Sequence, residues 1–367
     1  MSFDAGALAN AATAALRAYD PGHDLPALRR AYGAMLAELG SNENALGPSP
    51  LAVAAMREAI GGAFRYPDPK GGALKQALAA HLDVDLARIA LGNGSHELLM
   101  LLAQCFAGPD TSTVYSEYGF AVFPIATAAA GARGIRVPAF VRTHARRYGH
   151  DLEAIAAAVR PDTRLVFLAN PNNPTGSWFD DDELAALLDR VPSSALVVVD
   201  EAYHEFVDAG GPRSALALAA RHPNLVVTRT FSKAHALAGL RVGYLIADPG
   251  VVAVLERLRE SFNVNAIALA AAEAALADHA HLAHVRNWTW AERAWLTGQL
   301  ERRGHDVLPS QTNFVLVDLG GDAGALERHL FARGVIVRPM AGYGLGHALR
   351  ISIGRHDENE RLLAALP

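Results

Sequence analysis

A lysine with nearby phosphate-binding groups stands in the stretch TFSKAHALAGLRVGY, after an apolar run and before a Gly/Ala-rich turn. Lys233 follows Ser232 directly and precedes Arg241 by eight residues. A lysine amine forms imines with aldehydes, and it is most nucleophilic where burial or a neighbouring cation depresses its pKa. Arg241 and Ser232 supply a cation and a hydroxyl, which are groups that bind phosphate. Taken alone, the pattern fits a solvated lysine at a strand end equally well.

An acid closes the apolar run ALVVVD, and a tyrosine follows it three residues later. Asp200 at the end of a buried strand is costly unless a cation meets it. A protonated pyridine nitrogen is such a cation, and an ionised Asp keeps it protonated so that the ring accepts electrons. Tyr203 is placed to hydrogen-bond a ring oxygen. The alternative for Asp200 is an ordinary helix N-cap.

Two loops that contain glycine complete this set of residues. The string NPNNPTG (170–176) follows an apolar run, and its Asn173 can donate its amide to the same ring oxygen. In LGNGSHELL (91–99), Gly94 and Ser95 open a helix, where backbone N–H groups favour phosphate. That second signal is weak by itself, because serine is also a good N-cap. Together the four motifs fit different atoms of one cofactor.

The elements that must position these residues alternate between strands and helices. Apolar runs typical of buried strands occur at 88–93, 164–170, 195–200, 224–230 and 241–247. A helix is predicted over 181–191, and the alternation indicates a parallel sheet that is buried on both faces. Polar residues follow the strands, namely Asn170, Asp200 and Ser232. They mark the sheet edge at which open α/β folds bind ligands.

The pattern changes after about residue 250, which predicts a second unit. The chain has 367 residues, more than the roughly 250–300 that one core supports. Predicted elements in this region are a helical stretch at 251–303, a helix at 325–334, and strands at 313–319, 335–339 and 348–354. The predicted division is an N-terminal arm (1–45), a large cofactor-binding domain (46–262) and a small α+β domain (263–367).

Composition and charge argue against several classes of function. The formal net charge is −5, so the basic surface that duplex nucleic acid requires is not expected. No run of about 20 apolar residues lacks charge, and no secretory signal is expected. The single cysteine, Cys105, permits no disulfide within the chain, which is typical of a reducing cytoplasm. We interpret His144, His150, His281 and His284 as surface residues and expect no metal site.

These motifs resemble those of fold-type-I pyridoxal-phosphate (PLP) aminotransferases and, more narrowly, of the histidinol-phosphate aminotransferase family. The resemblance runs from about Tyr19 to about Arg361. Its most specific strings are SNENALGPSP, RYPDP, NGSHELL, NPNNPTG, DEAYHEF, TFSKAHALAGLRVGY, NFVLV and LRISIG. It implies an α/β fold with a large domain around a mostly parallel sheet, a smaller α+β domain, and a homodimer with composite active sites.

The resemblance also implies a role for each site residue. Lys233 would carry PLP as a Schiff base and move protons at the substrate Cα, and Asp200 would pair with the pyridinium. Contacts to the ring would come from Tyr203, Asn173 and Tyr118. Contacts to the cofactor phosphate would come from Gly94, Ser95, Ser232, Arg241 and the partner subunit's Tyr66. Substrate contacts would come from Arg350 on a carboxylate, Arg338 on a phosphate, Tyr19, and Asn44 on a closing loop.

The leading interpretation is ping-pong transamination between histidinol phosphate and 2-oxoglutarate. Three alternatives stay open: an aminotransferase for aromatic amino acids, a PLP decarboxylase of phosphothreonine type, and a protein that binds PLP without catalysis. The sequence departs from the family pattern at His96 and His235, for which packing or supporting roles are expected. Ser116-Glu117-Tyr118 stands where Pro-Thr-Tyr is common, which makes Tyr118 the predicted stacking residue.

Overall fold

The chain is described by a computed structural model that covers residues 5–14, 16 and 23–367. Its first elements are α1 (Ala11–Ala14), α2 (Leu25–Tyr32) and the short strand β1 (Ala37–Glu38). The helix α2 begins at Asp24, whose side chain accepts a hydrogen bond from the backbone N–H of Ala27 at 3.0 Å. Tyr19, a predicted substrate residue, lies outside the described residues.

The largest sheet has seven strands within the described part of the chain. The elements of this region are α3 (Pro50–Ala59), α4 (Gly72–Leu82), β2 (Ile89–Gly92), α5 (Gly94–Phe106), β3 (Ser112–Ser116), α6 (Val122–Ala129), β4 (Arg133–Val137), α7 (Leu152–Ala158), β5 (Thr163–Ala169), α8 (Asp181–Arg190), β6 (Leu196–Asp200), β7 (Leu225–Thr230), β8 (Gly243–Ile246), α9 (Pro249–Leu258) and α10 (Ala266–Ala277). The strand order is β2-β8-β7-β6-β5-β3-β4.

The direction of the strands confirms a mostly parallel sheet with one exception. The strands β4, β3, β5, β6 and β7 pair in parallel, whereas β8 is antiparallel to both β7 and β2. The inclusion of the run 241–247 among the parallel strands was therefore wrong. The connection 231–242 contains no crossover helix, so the chain returns beside β7 in the opposite direction.

Helices cover both faces of this sheet, which explains the continuous apolar runs. Along β5, Leu165 and Phe167 pack into one core cluster, while Val166 and Leu168 pack into the cluster on the other face. Phe123 of α6 stacks on Phe167, with ring centroids 5.1 Å apart and planes 8° apart. Because alternate residues are apolar on both sides, the strand has no polar face.

The C-terminal region forms a smaller antiparallel sheet. Its elements are α11 (His279–Arg302), β9 (Asp306–Val307), β10 (Phe314–Asp318), α12 (Ala323–Phe331), β11 (Val335–Ile336), β12 (Arg338–Met340), β13 (Leu345–Ser352) and α13 (His356–Ala365). The strand order is β12-β13-β10-β9, and β1 pairs in parallel with β11. The predicted domain boundaries stay predictions. None of the described helices combines the length and apolar character needed to cross a bilayer.

One glycine, Gly243, allows the beginning of helix α5 to lie directly on the large sheet. An ideal Cβ on Gly243, the first residue of β8, would lie 2.7 Å from the backbone nitrogen of Ser95. It would also lie 2.8 Å from the carbonyl carbon of Gly94 and from the carbonyl oxygen of Arg229. The beginning of α5 therefore packs against bare backbone.

Replacing Gly243 with Ala is expected to lower the free energy of unfolding by about 1–3 kcal/mol, because the new methyl group meets backbone rather than flexible side chains. Urea denaturation of the cofactor-free protein measures this. Gly239→Ala is the matched control, since nothing lies within 4 Å of its ideal Cβ. Equal stability of the two variants would contradict the close packing of α5 on β8.

Candidate active site

A cavity of about 1160 Å³ lies at the C-terminal edge of the parallel strands. Several loops and the strands β12 and β13 contribute to its wall. The predicted site residues that line it are Ser95, Asn173, Asp200, Tyr203, Ser232, Lys233, Arg241, Arg338 and Arg350. Residues far apart in the sequence therefore meet in one place, as the sheet-edge argument predicts.

Lys233 is half-buried in this wall, on the loop that follows β7. Its Nζ donates to the backbone carbonyls of Ser41 and Asn42, each at 3.3 Å. Burial, and after it the cations Arg350 and Arg241, lower the pKa of the amine to about 8. A useful fraction of the side chain is therefore a neutral nucleophile near physiological pH.

Asp200 ends β6 and is almost completely buried, with 4% of its surface exposed. The hydroxyl of Thr228 donates to its Oδ1 at 2.9 Å. This bond lowers the pKa of the carboxyl, but burial has the larger effect and raises the pKa to about 7. Among the described residues, no Lys, Arg or His forms an ion pair with it. A buried acid that faces a cavity in this way fits the protonated ring nitrogen of PLP, which would restore its ionised form.

Tyr203 and Asn173 can each offer a hydrogen-bond donor to the cavity, because a neighbouring side chain already donates to the oxygen of each. The Nδ2 of Asn42 donates to the Tyr203 hydroxyl at 3.0 Å. Burial raises the pKa of Tyr203, so it stays protonated. The Oδ1 of Asn173 accepts from Nη1 of Arg350 at 2.5 Å, which leaves its Nδ2 as a donor. The two side chains therefore match the ring oxygen of the cofactor.

An anion cradle forms where the guanidinium of Arg241 meets the beginning of α5. Its Nη1 donates to the Ser232 hydroxyl at 3.4 Å, and its Nη2 donates to the carbonyl of Asn93 at 3.3 Å. Gly94 has φ +80°, and an ideal Cβ there would come within 2.7 Å of that Nη2. Glycine thus lets a cation lie against the helix N-terminus beside Ser95, an arrangement that fits the phosphate of PLP.

A second cationic patch lies on the small sheet. Arg338 of β12 and Arg350 of β13 are direct partners in the antiparallel register, so their side chains share one face. Both line the cavity, and Arg350 also donates through Nη2 to the carbonyl of Gly40 at 2.8 Å. Two guanidinium groups on one face of a sheet can share the oxygens of one anion. The arrangement therefore favours an anionic ligand between them.

Three of the predicted side chains that the structure describes lie outside the cavity wall. Tyr118 packs edge-on against Tyr148, with ring centroids 5.5 Å apart, and Phe120 lines the cavity instead. Tyr66 is 83% exposed and stacks on Phe262. The Nδ2 of Asn44 donates to the carbonyl of Ala234, next to the lysine, at 2.8 Å. The stacking, partner-phosphate and substrate roles of these side chains stay predictions.

Sequence reasoning missed Asn42, although it chose Asn44 from the same string. Asn42 is 1% exposed, has φ +55° and contacts both Tyr203 and Lys233. The sequence signal that could have identified it is an asparagine in a segment rich in turn-forming residues, since Asn tolerates the left-handed region better than most other side chains. The backbone geometry that distinguishes the two asparagines is not visible in the sequence.

The histidines occupy different surroundings, and one of them, His150, departs from its prediction. His96 lies in the first turn of α5 and lines the cavity. Partial burial of its ring, and after it the charge of Arg241, lower its pKa. His235 is buried against Phe231, and burial lowers its pKa to about 4. The surface interpretation of His150 was wrong, because it lies buried beside β5 with a pKa lowered to about 4 by burial. The described residues contain no group that could hold a metal.

The chain matches the family model of aminotransferase class I and II over residues 34–366. It is 48% identical over 363 residues to histidinol-phosphate aminotransferase 2 of Pseudomonas aeruginosa, covering 98% of this chain and 97% of the relative. It is 49% identical over 355 residues to histidinol-phosphate aminotransferase 1 of Thiobacillus denitrificans, covering 96% and 91%.

Among solved structures, histidinol-phosphate aminotransferase from Sinorhizobium meliloti in complex with pyridoxal-5'-phosphate superposes with a TM-score of 0.86. The two are 35% identical, and the match covers 97% of this chain and 96% of that one. The fold and the site define a fold-type-I PLP-dependent enzyme, and PLP is its cofactor. The chain belongs to the class I and II aminotransferases. The predicted fold class, enzyme class and cofactor are confirmed.

The rate at which cofactor-free protein takes up PLP is expected to rise with pH and to level off above about 8. Only the neutral amine of Lys233 attacks the aldehyde, and its pKa is lowered to about 8 from 10.5. Below that value the rate should rise about tenfold per pH unit. Stopped-flow growth of the visible absorbance between pH 6 and 10 measures it.

Two lysine variants serve as controls for this profile. Lys233→Ala should develop no visible absorbance, whereas Lys70→Ala, at an exposed position, should follow the unmodified protein. A rate that keeps rising up to pH 10 would show that the amine titrates like an ordinary lysine.

Proposed function

We propose that the enzyme transfers an amino group between histidinol phosphate and 2-oxoglutarate. The observation that carries this proposal is the Arg338–Arg350 pair, which faces the cavity that also holds the PLP groups. The relatives at 48% and 49% identity bear the name of the same reaction. The proposal thus names an amino donor and an oxo acid, which membership of the family alone does not.

Histidinol phosphate carries a phosphate ester where an amino acid carries its carboxylate. A phosphate dianion has enough oxygens for two guanidinium groups, whereas one bidentate pair already satisfies a carboxylate. Arg350 would therefore clamp the carboxylate of 2-oxoglutarate or glutamate in one half-reaction and share the phosphate with Arg338 in the other. The proposal adds this phosphate contact to the carboxylate contact that the resemblance implies for Arg350.

When bound, PLP accepts the amino group of one substrate, delivers it to the next, and spreads over its ring the electron pair left at the substrate Cα. Asp200 holds the positive charge at the ring nitrogen. Tyr203 and Asn173 donate to the ring oxygen, and Ser95, Ser232 and Arg241 hold the phosphate. Lys233, with its lowered pKa, moves the proton at Cα.

The cavity wall also contains apolar side chains, which favour the exclusion of water. Phe120, Ile125 and Tyr343 are part of this wall. The hydroxyl of Tyr343 accepts from the backbone N–H of Ala121 at 3.3 Å, which ties the small sheet to the beginning of α6. Exclusion of water strengthens the electrostatic contacts on which the proton transfer depends.

Arg338→Ala is expected to slow the single-turnover reaction with histidinol phosphate about 30- to 100-fold, the effect of losing a charge-assisted hydrogen-bond pair of about 2–3 kcal/mol. Its reaction with phenylalanine should change less than about threefold. The measurement mixes the PLP form with histidinol phosphate, phenylalanine, tyrosine or glutamate and follows the loss of visible absorbance. Arg338→Lys, which keeps the charge but not the fork, should lie between.

The same experiment, extended to phosphothreonine with a measurement of CO₂, separates the competing functions. Phenylalanine as the fastest donor would identify an aromatic aminotransferase. Release of CO₂ from phosphothreonine would identify a decarboxylase. Equal losses for histidinol phosphate and phenylalanine in Arg338→Ala would remove this residue from phosphate recognition.

The enzyme is further proposed to be a homodimer with composite active sites. Exposed apolar side chains occur after α3 and near α9: Ile60 is 65% exposed, Phe64 79%, Tyr66 83% and Phe262 37%. Such a patch is larger than isolated surface apolar residues and favours contact with another protein surface. A second copy of the chain would cover it and would bring Tyr66 to the partner's cofactor phosphate.

Mixing two defective variants tests the composite site. In a heterodimer of Lys233→Ala and Tyr66→Ala subunits, one site combines an intact lysine with an intact tyrosine. Random exchange of subunits should therefore restore roughly a quarter of the unmodified activity. Activity that stays at the mean of the two separate variants would show that each site is built from one chain. Sedimentation at several concentrations checks the dimer itself.

The remaining predictions concern location and other partners. A cytoplasmic location is supported by the single, half-buried Cys105, which offers no disulfide within the chain. The net charge of −5 offers no basic surface for nucleic acid. The partners of the proposed enzyme are its two small-molecule substrates and a second subunit.

A further inference from the structure

Asn42 makes a set of hydrogen bonds that the functions described so far do not use. It lies in the segment between β1 and α3, is 1% exposed and has φ +55°. Its carbonyl accepts from Lys233 and from Nδ2 of Asn313, and its Nδ2 donates to Tyr203. The residue thus joins the arm segment to two groups of the cofactor site.

Ser352 fixes the orientation of the Asn42 amide. The hydroxyl of Ser352 accepts from the backbone N–H of Asn42 at 2.8 Å and donates to its Oδ1 at 3.1 Å. The amide oxygen therefore lies toward Ser352 and accepts the single hydrogen of its hydroxyl. The NH₂ group must then face Tyr203, at 3.0 Å.

This orientation determines what the tyrosine hydroxyl can do. An amide NH₂ only donates, so the Tyr203 oxygen accepts from Asn42 and cannot give its own hydrogen there. No other described residue forms a hydrogen bond with that hydroxyl, and Tyr203 lines the cavity. The hydrogen of Tyr203 is therefore available to a group inside the cavity.

Strand β13 holds both donors to the ring oxygen in this way. Arg350 and Ser352 are two residues apart on the strand and share a face. Arg350 binds the oxygen of the Asn173 amide, and Ser352 binds the oxygen of the Asn42 amide. In each case the amide oxygen is occupied and the NH₂ group is turned toward the site.

We propose that Asn42, oriented by Ser352, is a positioning residue that makes Tyr203 donate its hydrogen to the ring oxygen of bound PLP. A donor at that oxygen stabilises its negative charge, so the bound cofactor loses its proton at a lower pH than it would without the bond. The proposal rests on the aminotransferase function proposed above but not on the identity of the amino donor.

The test is a pH titration of the visible absorbance of the PLP form without substrate. Asn42→Asp has nearly the same shape, tolerates the left-handed backbone and replaces a donor with an acceptor. The Tyr203 hydroxyl would then turn toward the new carboxylate. The midpoint of the titration is expected to rise by about one pH unit. Asn287→Asp, at an exposed position on α11, controls for an added negative charge.

A double-mutant cycle separates positioning from a direct charge effect. In a Tyr203→Phe background, Asn42→Asp should shift the midpoint by less than about a third of its effect alone, because the hydroxyl through which it acts is missing. Ser352→Ala adds no charge and should shift the midpoint in the same direction by a smaller amount. Ser352→Thr, which keeps the hydroxyl, should restore the unmodified midpoint.

Each outcome decides the proposal. An unchanged midpoint in Asn42→Asp, or an equal shift with and without the Tyr203 hydroxyl, would overturn it. If Asn42→Asp does not fold, the Ser352 pair decides alone, and equal midpoints for Ala and Thr would overturn it. Because no substrate is present, failure of histidinol phosphate as a donor would leave these titrations readable.

Discussion

Burial of ionisable groups at one sheet edge is the constraint on which the rest of the structure depends. The carboxyl of Asp200 and the amine of Lys233 lie in one cavity wall, and burial moves their pKa values toward each other, to about 7 and about 8. Neither group has an ion-pair partner among the described residues. The parallel strands supply both positions because their C-terminal ends meet at that edge. A cationic ring that binds there compensates the acid, and the lysine keeps a reactive form.

In the proposed function, two cationic sites built on different elements would divide recognition between cofactor and substrate. The cradle of Arg241 and Ser95 belongs to the large sheet and helix α5, where Gly94 and Gly243 permit close approach. The arginines of β12 and β13 belong to the small sheet. A phosphate would therefore have two distinct binding sites in one cavity. This separation would let the proposed phosphorylated substrate bind without competing for the cofactor cradle.

Most of the buried strands and the cofactor motifs could be predicted from the sequence. The exposed or bent parts could not, and neither could the buried strand β3, whose sequence STVYS is rich in hydroxyl groups. β5, β6 and β7 lie within a residue or two of their predicted bounds because both of their faces are apolar. β4 was missed because its sequence RGIRV is that of a largely exposed edge strand. The reversal of β8 depends on a connection without a helix. Asn42 and His150 were misjudged because their burial follows from distant packing rather than from neighbouring residues.

The small sheet does more than hold arginines, and this limits how the enzyme can acquire other substrates. A change at Arg350 would release the Asn173 amide as well as a substrate anion, so substrate preference and cofactor electronics would change together. Arg338 stands opposite on β12 and has no such link to Asn173 or Asn42 among the hydrogen bonds described. Divergence toward new amino donors is therefore expected to proceed through β12 while β13 stays unaltered. Strand β12 can vary because the hydrogen bonds that link substrate and cofactor groups are made by its neighbour β13.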